Sequence, residues 1–202
     1  LKFQLFEMDT ESVITSGMIE RIGMEDSIFT IKYNGTKDKK IFAVPTHKEA
    51  VQVLLDTLIE KKIVERLDEI KGIGHRVVQG GPYFDSSCVV DDDVIAKIDE
   101  LSPLAPLHNP AHIIGINAFK DAIPTAGAVV VFDTACHHSI KPENAVYPIP
   151  YKFYEENKIR KYGAHGTSHY YVSKRTQELL GNPEHANIIV CHLGAGASLC
   201  AV

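Results

Sequence analysis

The hydrophobic period of this chain changes at Thr46, and that change restricts the fold more than any other feature of the sequence. Before it, apolar residues recur in short, partly alternating runs. Residues 2–8 (KFQLFEM), 12–22 and 27–33 read as strands separated by polar turns, and residues 40–44 as a fourth, shorter one. Asn34-Gly35 marks a hairpin between the last two, because both residue types tolerate positive φ. Thr46-His47-Lys48-Glu49 then has the form of a capping box, with Thr46 as N-cap and Glu49 reaching back. Val51, Leu54, Leu55, Leu58 and Ile59 follow at helical spacing, so one face of a predicted helix over residues 46–62 is expected to be buried.

From there strands and helices alternate. Residues 72–78 read as a strand ending at Gly80-Gly81. Residues 91–101 read as a helix with acids in its first turn, where the helix dipole favours them. Asn109-Pro110 opens another helix, with Asn as N-cap and Pro at the first helical position. Residues 128–132 (AVVVF) form a continuous apolar run, as expected for a strand covered on both faces. Four strands followed by alternating helices and strands argue for an α/β chain with a mixed sheet flanked by helices. Residues 134–163 are rich in Pro, Tyr and His and show no sustained period, so a domain boundary is expected near 134–150. Thr167 or Ser168 then caps a helix reaching about Leu180, which Gly181-Asn182-Pro183 stops. Residues 187–192 and 197–202 read as two strands joined by a tight turn at Gly194-Ala195-Gly196.

Composition removes several classes of function. With 45% apolar residues and a net charge of −5, the 202-residue chain is neither disordered nor a bulk-charge binder of nucleic acid or anionic membranes. No apolar run approaches the roughly 18 residues that cross a bilayer. Cys88, Cys136, Cys191 and Cys200 form no CxxC pair, and Cys191 and Cys200 read as small buried hydrophobes in strands. A reducing cytoplasm is the simpler expectation. No signal peptide is visible. The chain begins at Leu1 and ends within an apolar run, so a part of a longer protein is expected.

Five segments could carry chemistry. In Gly74-His75-Arg76-Val77-Val78-Gln79-Gly80-Gly81, Arg76 is either an ordinary edge residue before a turn or a fork for a carboxylate or phosphate. The two glycines would let a ligand or another backbone come close. In Leu107-His108-Asn109-Pro110, His108 precedes a helix N-terminus and suits a neutral donor to a ligand oxygen. His108 and His112 have zinc-like i, i+4 spacing, but no third ligand of good spacing accompanies them. Asp133 ends the apolar strand, where open α/β sheets hold ligands; the continuity of that run favours a carboxylate that orients a metal or a nucleophile over an Asx-turn or an N-cap. In Tyr162-Gly163-Ala164-His165-Gly166-Thr167-Ser168-His169, a histidine between glycines adjoins a helix start, which makes either an anion site or a capped loop. His192-Leu193-Gly194-Ala195-Gly196 is an ordinary hairpin, or one whose amides close on a phosphate. It lacks the following helix of a dinucleotide fingerprint. No G-x-S-x-G elbow supports a serine hydrolase built on His165 and Ser168.

Together, GHRVVQGG, LAPLHNPAHIIGI, VVVFDTACH, RKYGAHGTSH and HLGAGAS stand in the order and context found in the acetokinase (acetate kinase) family, which the whole chain resembles. The resemblance implies the RNase H-like, actin-like ATPase fold of the acetate and sugar kinase, Hsc70 and actin superfamily, with an active site between two duplicated domains. Residues 1–135 would be the first domain without its first strand, and residues 136–202 a linker and the beginning of the second. It also implies reversible, Mg2+-dependent transfer of the ATP γ-phosphoryl group to acetate, giving acetyl phosphate and ADP.

By motif, Arg76 would hold the carboxylate, Asp133 would be the acidic residue near the metal, His165 would stabilise the transition state, and His108 would assist. Val78, Leu107 and Ala164 would lie beside the substrate. Lys2 and the hairpin residues His192, Leu193, Gly194, Ala195 and Gly196 would meet the nucleotide phosphates. No residue of this chain is assigned as a direct metal ligand. A homodimer of the full-length protein is implied by the family alone.

Three departures qualify the match. Gln79 stands where the family usually has His, Ala195 where it usually has Asn, and Ala164 where many members have Phe. A smaller residue beside His165 keeps propionate in play as the acyl substrate; the first two departures lean toward a non-catalytic relic of the fold, and the intact Arg76, Asp133, His108 and His165 lean against it. The family is about twice as long as this chain, and from the parts then missing the 202 residues alone are expected to be inactive.

Overall fold

The computed structural model describes residues 1–202. Its contacts divide the chain into two compact units, residues 1–73 with 114–127, and residues 74–113 with 128–202. Both units contain segments from either side of residue 113, so this division differs from the domains expected from the sequence.

In the first unit, β1 (Lys2–Glu7), β2 (Ser12–Glu20), β3 (Ser27–Tyr33) and β4 (Thr36–Phe42) form an antiparallel sheet in that order. Asn34 and Gly35, with φ of 48° and 73°, make the two-residue turn, and Tyr33 pairs directly with Thr36. That tight turn puts the fourth strand in register from Thr36, four residues earlier than its apolar content suggested. Ile19, Phe29 and Ile31 are buried with Val44 and Ala50. The Phe3 ring lies over Gly17, where a Cβ would fall 2.5 Å from Cζ. Helix α1 (His47–Glu60) follows, and the Thr46 hydroxyl accepts the Glu49 N–H at 3.3 Å. Val51, Leu54, Leu55 and Leu58 pack with Val64, Ala118 and Ile123. Ile59, expected on this face, is exposed, because it falls at the edge of the apolar stripe.

The second sheet runs β5 (Gly72–Val77), β7 (Gly127–Phe132), β6 (Cys88–Val89). Gly127 N–H donates to Lys71 C=O, and Asp133 N–H to Val77 C=O. Equal steps along both strands make β5 and β7 parallel, whereas β6 pairs antiparallel to β7, so the sheet is mixed. Strand β6 had no sequence signal of its own. Along β7 only Val130 and Phe132 are fully buried and Val129 is exposed, so one face is less covered than the apolar run implied.

In the second unit, helix α2 (Asp92–Glu100) is capped by Asp91, whose carboxylate accepts the Val94 N–H at 2.7 Å. Helix α3 (Asn109–Ala122) begins without an Asn cap. The Asn109 side chain is buried and turned away from its own helix. Short helices α4 (Pro142–Ala145) and α5 (Lys152–Asn157) occupy the aperiodic stretch. Helix α6 (Gly166–Leu179) starts earlier than expected, with His165 at its N-cap and neither Thr167 nor Ser168 capping. The hairpin of β8 (Ile189–Leu193) and β9 (Ala197–Ala201) ends the unit. Its outward face exposes Cys191, and Cys200 is only partly covered, so neither cysteine is the buried hydrophobe expected. All four cysteines are free. No helix is long and apolar enough to cross a membrane.

Candidate active site

The parallel pairing of β5 and β7 carries Arg76 and Asp133 to the same place. Asp133 N–H donates to the Val77 carbonyl at 3.0 Å, which extends the ladder one residue beyond β7. Arg76 Nε then donates to Asp133 Oδ1 at 2.8 Å, and Nη2 to Oδ2 at 2.5 Å. The Asp133 side chain is 4% exposed and that of Arg76 57%. The arginine is thus a fork, but the carboxylate it grips is the protein's own and not a ligand's. Arg has five N–H donors, and two are used here.

The same aspartate anchors α6. Gly166 N–H donates to the Asp133 carbonyl at 2.8 Å, and a Cβ at Gly166 would lie 2.2 Å from that oxygen. Only glycine permits this approach, and it holds His165 beside the aspartate. His165 itself has φ of 54°, the left-handed conformation.

Four histidines and two serines are linked to one another around the start of α6. His165 Nδ1 lies 2.8 Å from Ser198 Oγ, and His169 Nε2 lies 2.8 Å from the same oxygen. His192 Nδ1 lies 3.0 Å from Ser168 Oγ. The rings of His165 and His192 stack at 4.1 Å and 17°. His137 Nε2–H donates to the Ala164 carbonyl at 2.9 Å. His169 is fully buried. Burial, reinforced by the neighbouring His137, His192 and His165, holds its pKa below the ordinary histidine value.

The acetokinase family model matches residues 1–202, the whole chain. This chain belongs to the acetokinase family. It is 56% identical over 203 residues to acetate kinases of Bacillus cytotoxicus and Bacillus mycoides, covering all of this chain and 51% of each relative. Among solved structures it is similar to a propionate kinase from Francisella tularensis (TM-score 0.90, 41% identity) and to Porphyromonas gingivalis acetate kinase (TM-score 0.94, 38% identity). Each comparison covers all of this chain and 51% of the other. The chain therefore spans about half the length of the curated relatives it matches. Its α/β architecture, a mixed sheet flanked by helices, is the actin-like ATPase fold of these acetokinases.

The acetokinase motifs hold their predicted residues in different ways. Arg76, Asp133 and His165 come together through the contacts above. His192 joins His165, and Leu193, Gly194, Ala195 and Gly196 form the exposed tip of the β8–β9 hairpin. His108 is exposed at the start of α3, and its carbonyl accepts the His112 N–H at 3.0 Å. The His108 and His112 rings lie 6.3 Å apart. Leu107 is 86% exposed, Ala164 is exposed and Val78 is half-buried. Lys2 lies on β1 in the other unit.

One expectation is corrected. Gly80 and Gly81 leave room for the protein's own side chains. A Cβ would fall 2.9 Å from the Phe132 ring at Gly80, and 2.4 Å from Leu101 at Gly81. The histidine–serine pairing also differs from that of a Ser168–His165 hydrolase: Ser168 bonds His192, and His165 bonds Ser198.

Sequence reasoning missed Ser198, although a signal existed. A three-residue turn at 194–196 puts Leu193 opposite Ala197 and therefore Ser198 opposite His192.

Proposed function

We propose that the full-length protein is a reversible acetate kinase, transferring the ATP γ-phosphoryl group to acetate to give acetyl phosphate and ADP. The observation that carries this reading is the convergence of the Arg76–Asp133 fork and His165 through the Gly166–Asp133 backbone bond.

An acetate oxygen attacks the γ-phosphorus as the bond to the β,γ-bridging oxygen breaks. The carboxylate is ionised already, so no strong base is required. Charge spreads over the equatorial phosphoryl oxygens, and catalysis is chiefly positioning and electrostatic stabilisation. Asp133 holds the guanidinium of Arg76 in one orientation and leaves three N–H donors for carboxylate or phosphoryl oxygens. His165 supplies a further donor and His108 assists. Val78, Leu107 and Ala164 stand on the acyl side, and residues 192–196 on the nucleotide side.

Mg2+ is bound in such enzymes through one or two carboxylates, waters and substrate phosphates. Asp133 is a carboxylate of that kind, but Arg76 holds both of its oxygens and its side chain is nearly sealed, so it would act near the ion and not as a direct ligand. When bound, the ion would neutralise charge on the phosphates. Residues 1–135 and 136–202 belong, on this reading, to two RNase H-like domains of a cytoplasmic homodimer.

The test is formation of acetyl phosphate by the purified full-length protein from acetate, ATP and Mg2+, trapped as the hydroxamate. Product above a protein-free blank is expected, and its absence overturns the reading. Propionate is a second candidate substrate, favoured by the similarity to a propionate kinase and by the small side chain at Ala164. One methylene discriminates by only about 1–3 kcal/mol, so kcat/KM for the two acids must be compared directly.

A further inference from the structure

Ser198 Oγ sits 2.8 Å from His165 Nδ1 and 2.8 Å from His169 Nε2. A hydroxyl has one proton to give. Its two lone pairs could accept from both imidazoles, but its own O–H would then have no partner, because the two ring nitrogens are the only groups it bonds; it therefore donates to one neutral imidazole and accepts from the other. In the first arrangement, His169 Nε2–H donates to Ser198, and the Ser198 O–H donates to His165 Nδ1. His165 then carries its own proton on Nε2. In the second, His165 Nδ1–H donates to Ser198, Ser198 donates to His169 Nε2, and the His169 proton sits on Nδ1.

The surroundings of His169 decide between them. Its side chain is fully buried, and Nδ1 has no hydrogen-bond partner. The second arrangement would seal an N–H there without an acceptor, whereas the first leaves only a lone pair. Orphaned buried N–H groups are the rarer of the two in folded proteins. Neither neighbouring ring brings an acceptor within bonding distance of His169 Nδ1. His137 packs edge-on at 5.7 Å, with its Nε2–H committed to the Ala164 carbonyl. The His192 ring lies 6.4 Å away, with Nδ1 engaged by Ser168. The depressed pKa of His169, caused mainly by burial, agrees with a neutral ring.

The His165 ring plane is already set by stacking on His192. What remains variable is which nitrogen carries the proton. We propose that Ser198, held by His169, sets the tautomer of His165, so that the neutral ring turns an Nε2–H donor away from Ser198 toward an anionic substrate oxygen. The identity of that oxygen rests on the kinase reading above, and the tautomer does not. Ser198 and His169 are positioning residues.

The experiment is a long-range 1H–15N correlation spectrum of the full-length protein labelled with 15N-histidine, with His165 assigned from its loss in His165→Gln. In the wild type, the neutral His165 signal is expected to report protonation at Nε2. In Ser198→Ala it shifts toward a mixture of both tautomers, and in Ser198→Thr it returns. Ser198→Ala is also expected to lower kcat by about tenfold or more while KM for ATP and acetate changes little, as for other hydrogen-bonded partners that orient a functional imidazole. His165 protonated at Nδ1 in the wild type overturns the inference whether or not any variant folds. An unchanged tautomer in a folded Ser198→Ala overturns it as well. The expected tautomer in a protein that makes no acetyl phosphate supports this inference and overturns the kinase reading alone.

Discussion

Arg76 and Asp133, 57 residues apart in sequence, meet at two points, Nε on Oδ1 at 2.8 Å and Nη2 on Oδ2 at 2.5 Å. One partner is nearly sealed and the other more than half exposed. The sealed carboxylate therefore acts as a fixed template, and the arginine is the part that reaches outward. If that arrangement serves catalysis, the two side chains are one device. Arg76→Ala is expected to lower kcat by about 10²–10³-fold, the usual effect of removing one preorganised donor. It should weaken acetate use far more than nucleotide binding. Asp133→Asn keeps the shape but loses the charge that holds the fork. The double variant should then be little worse than the poorer single one. Steady-state kinetics of all four proteins, each at full length, form the cycle. Effects that add would show two independent residues, and equal losses for acetate and nucleotide would remove the assigned role of Arg76.

Asn109 braces the same unit from inside. Its Nδ2 donates to the carbonyls of Gln79 and Ile98 at 3.1 and 3.2 Å, and its Oδ1 accepts the Gln79 N–H at 3.2 Å. All of these bonds lie out of reach of water. Asn109→Ala would leave three buried backbone groups without partners, and groups of that kind cost about 1–3 kcal/mol each. Allowing for relaxation, a loss of about 3 kcal/mol is expected in urea unfolding, with the midpoint lowered. Asn109→Asp should also destabilise, because it cannot donate to either carbonyl. A loss below about 1 kcal/mol for Asn109→Ala would mean that the brace carries little of the stability.

The contrast between Asn109 and Asp91 shows what the sequence could tell. Asp91, expected within the acidic first turn, caps α2; its bond to Val94 spans three residues and needs no other part of the chain. Asn34-Gly35 and Thr46 were legible for the same reason. Asn109-Pro110 carries an equally good capping signal, yet the asparagine is drawn into bonds with residues 30 and 11 positions away. Local chemistry does not distinguish a cap from a buried brace. Cys191 shows the parallel limit for burial. Alternation along β8 correctly sends Val190 and His192 to one face and Cys191 to the other, but it does not say whether that other face is covered. The site divides similarly. Arg76, Asp133 and His165 stand out in their motifs, whereas the pairing of Arg76 with Asp133 and the bridging role of Ser198 arise from contacts 57 and 29 to 33 residues long.

His75, next to Arg76 on β5, makes folding depend on pH. Burial disfavours its cationic form, and the nearby His112 adds repulsion, so its pKa is lowered from 6.5 to about 4. Between those two values the unfolded chain binds a proton that the folded chain does not. The unfolded state is therefore favoured as pH falls. The contribution is fully present above pH 6.5 and is lost as pH drops through about 4. Its full size is about 3 kcal/mol, less whatever partial solvation of the ring returns. Urea midpoints measured across this window should fall steeply for the wild type. His75→Gln removes the titration without removing a polar side chain, so its curve should be flatter, and the wild type should lose stability relative to it as pH falls toward 4. Other groups that titrate in the same range, His47 among them, are common to both proteins and cancel in the difference. Parallel curves across the whole window would show that His75 takes up its proton in the folded protein as readily as in the unfolded chain.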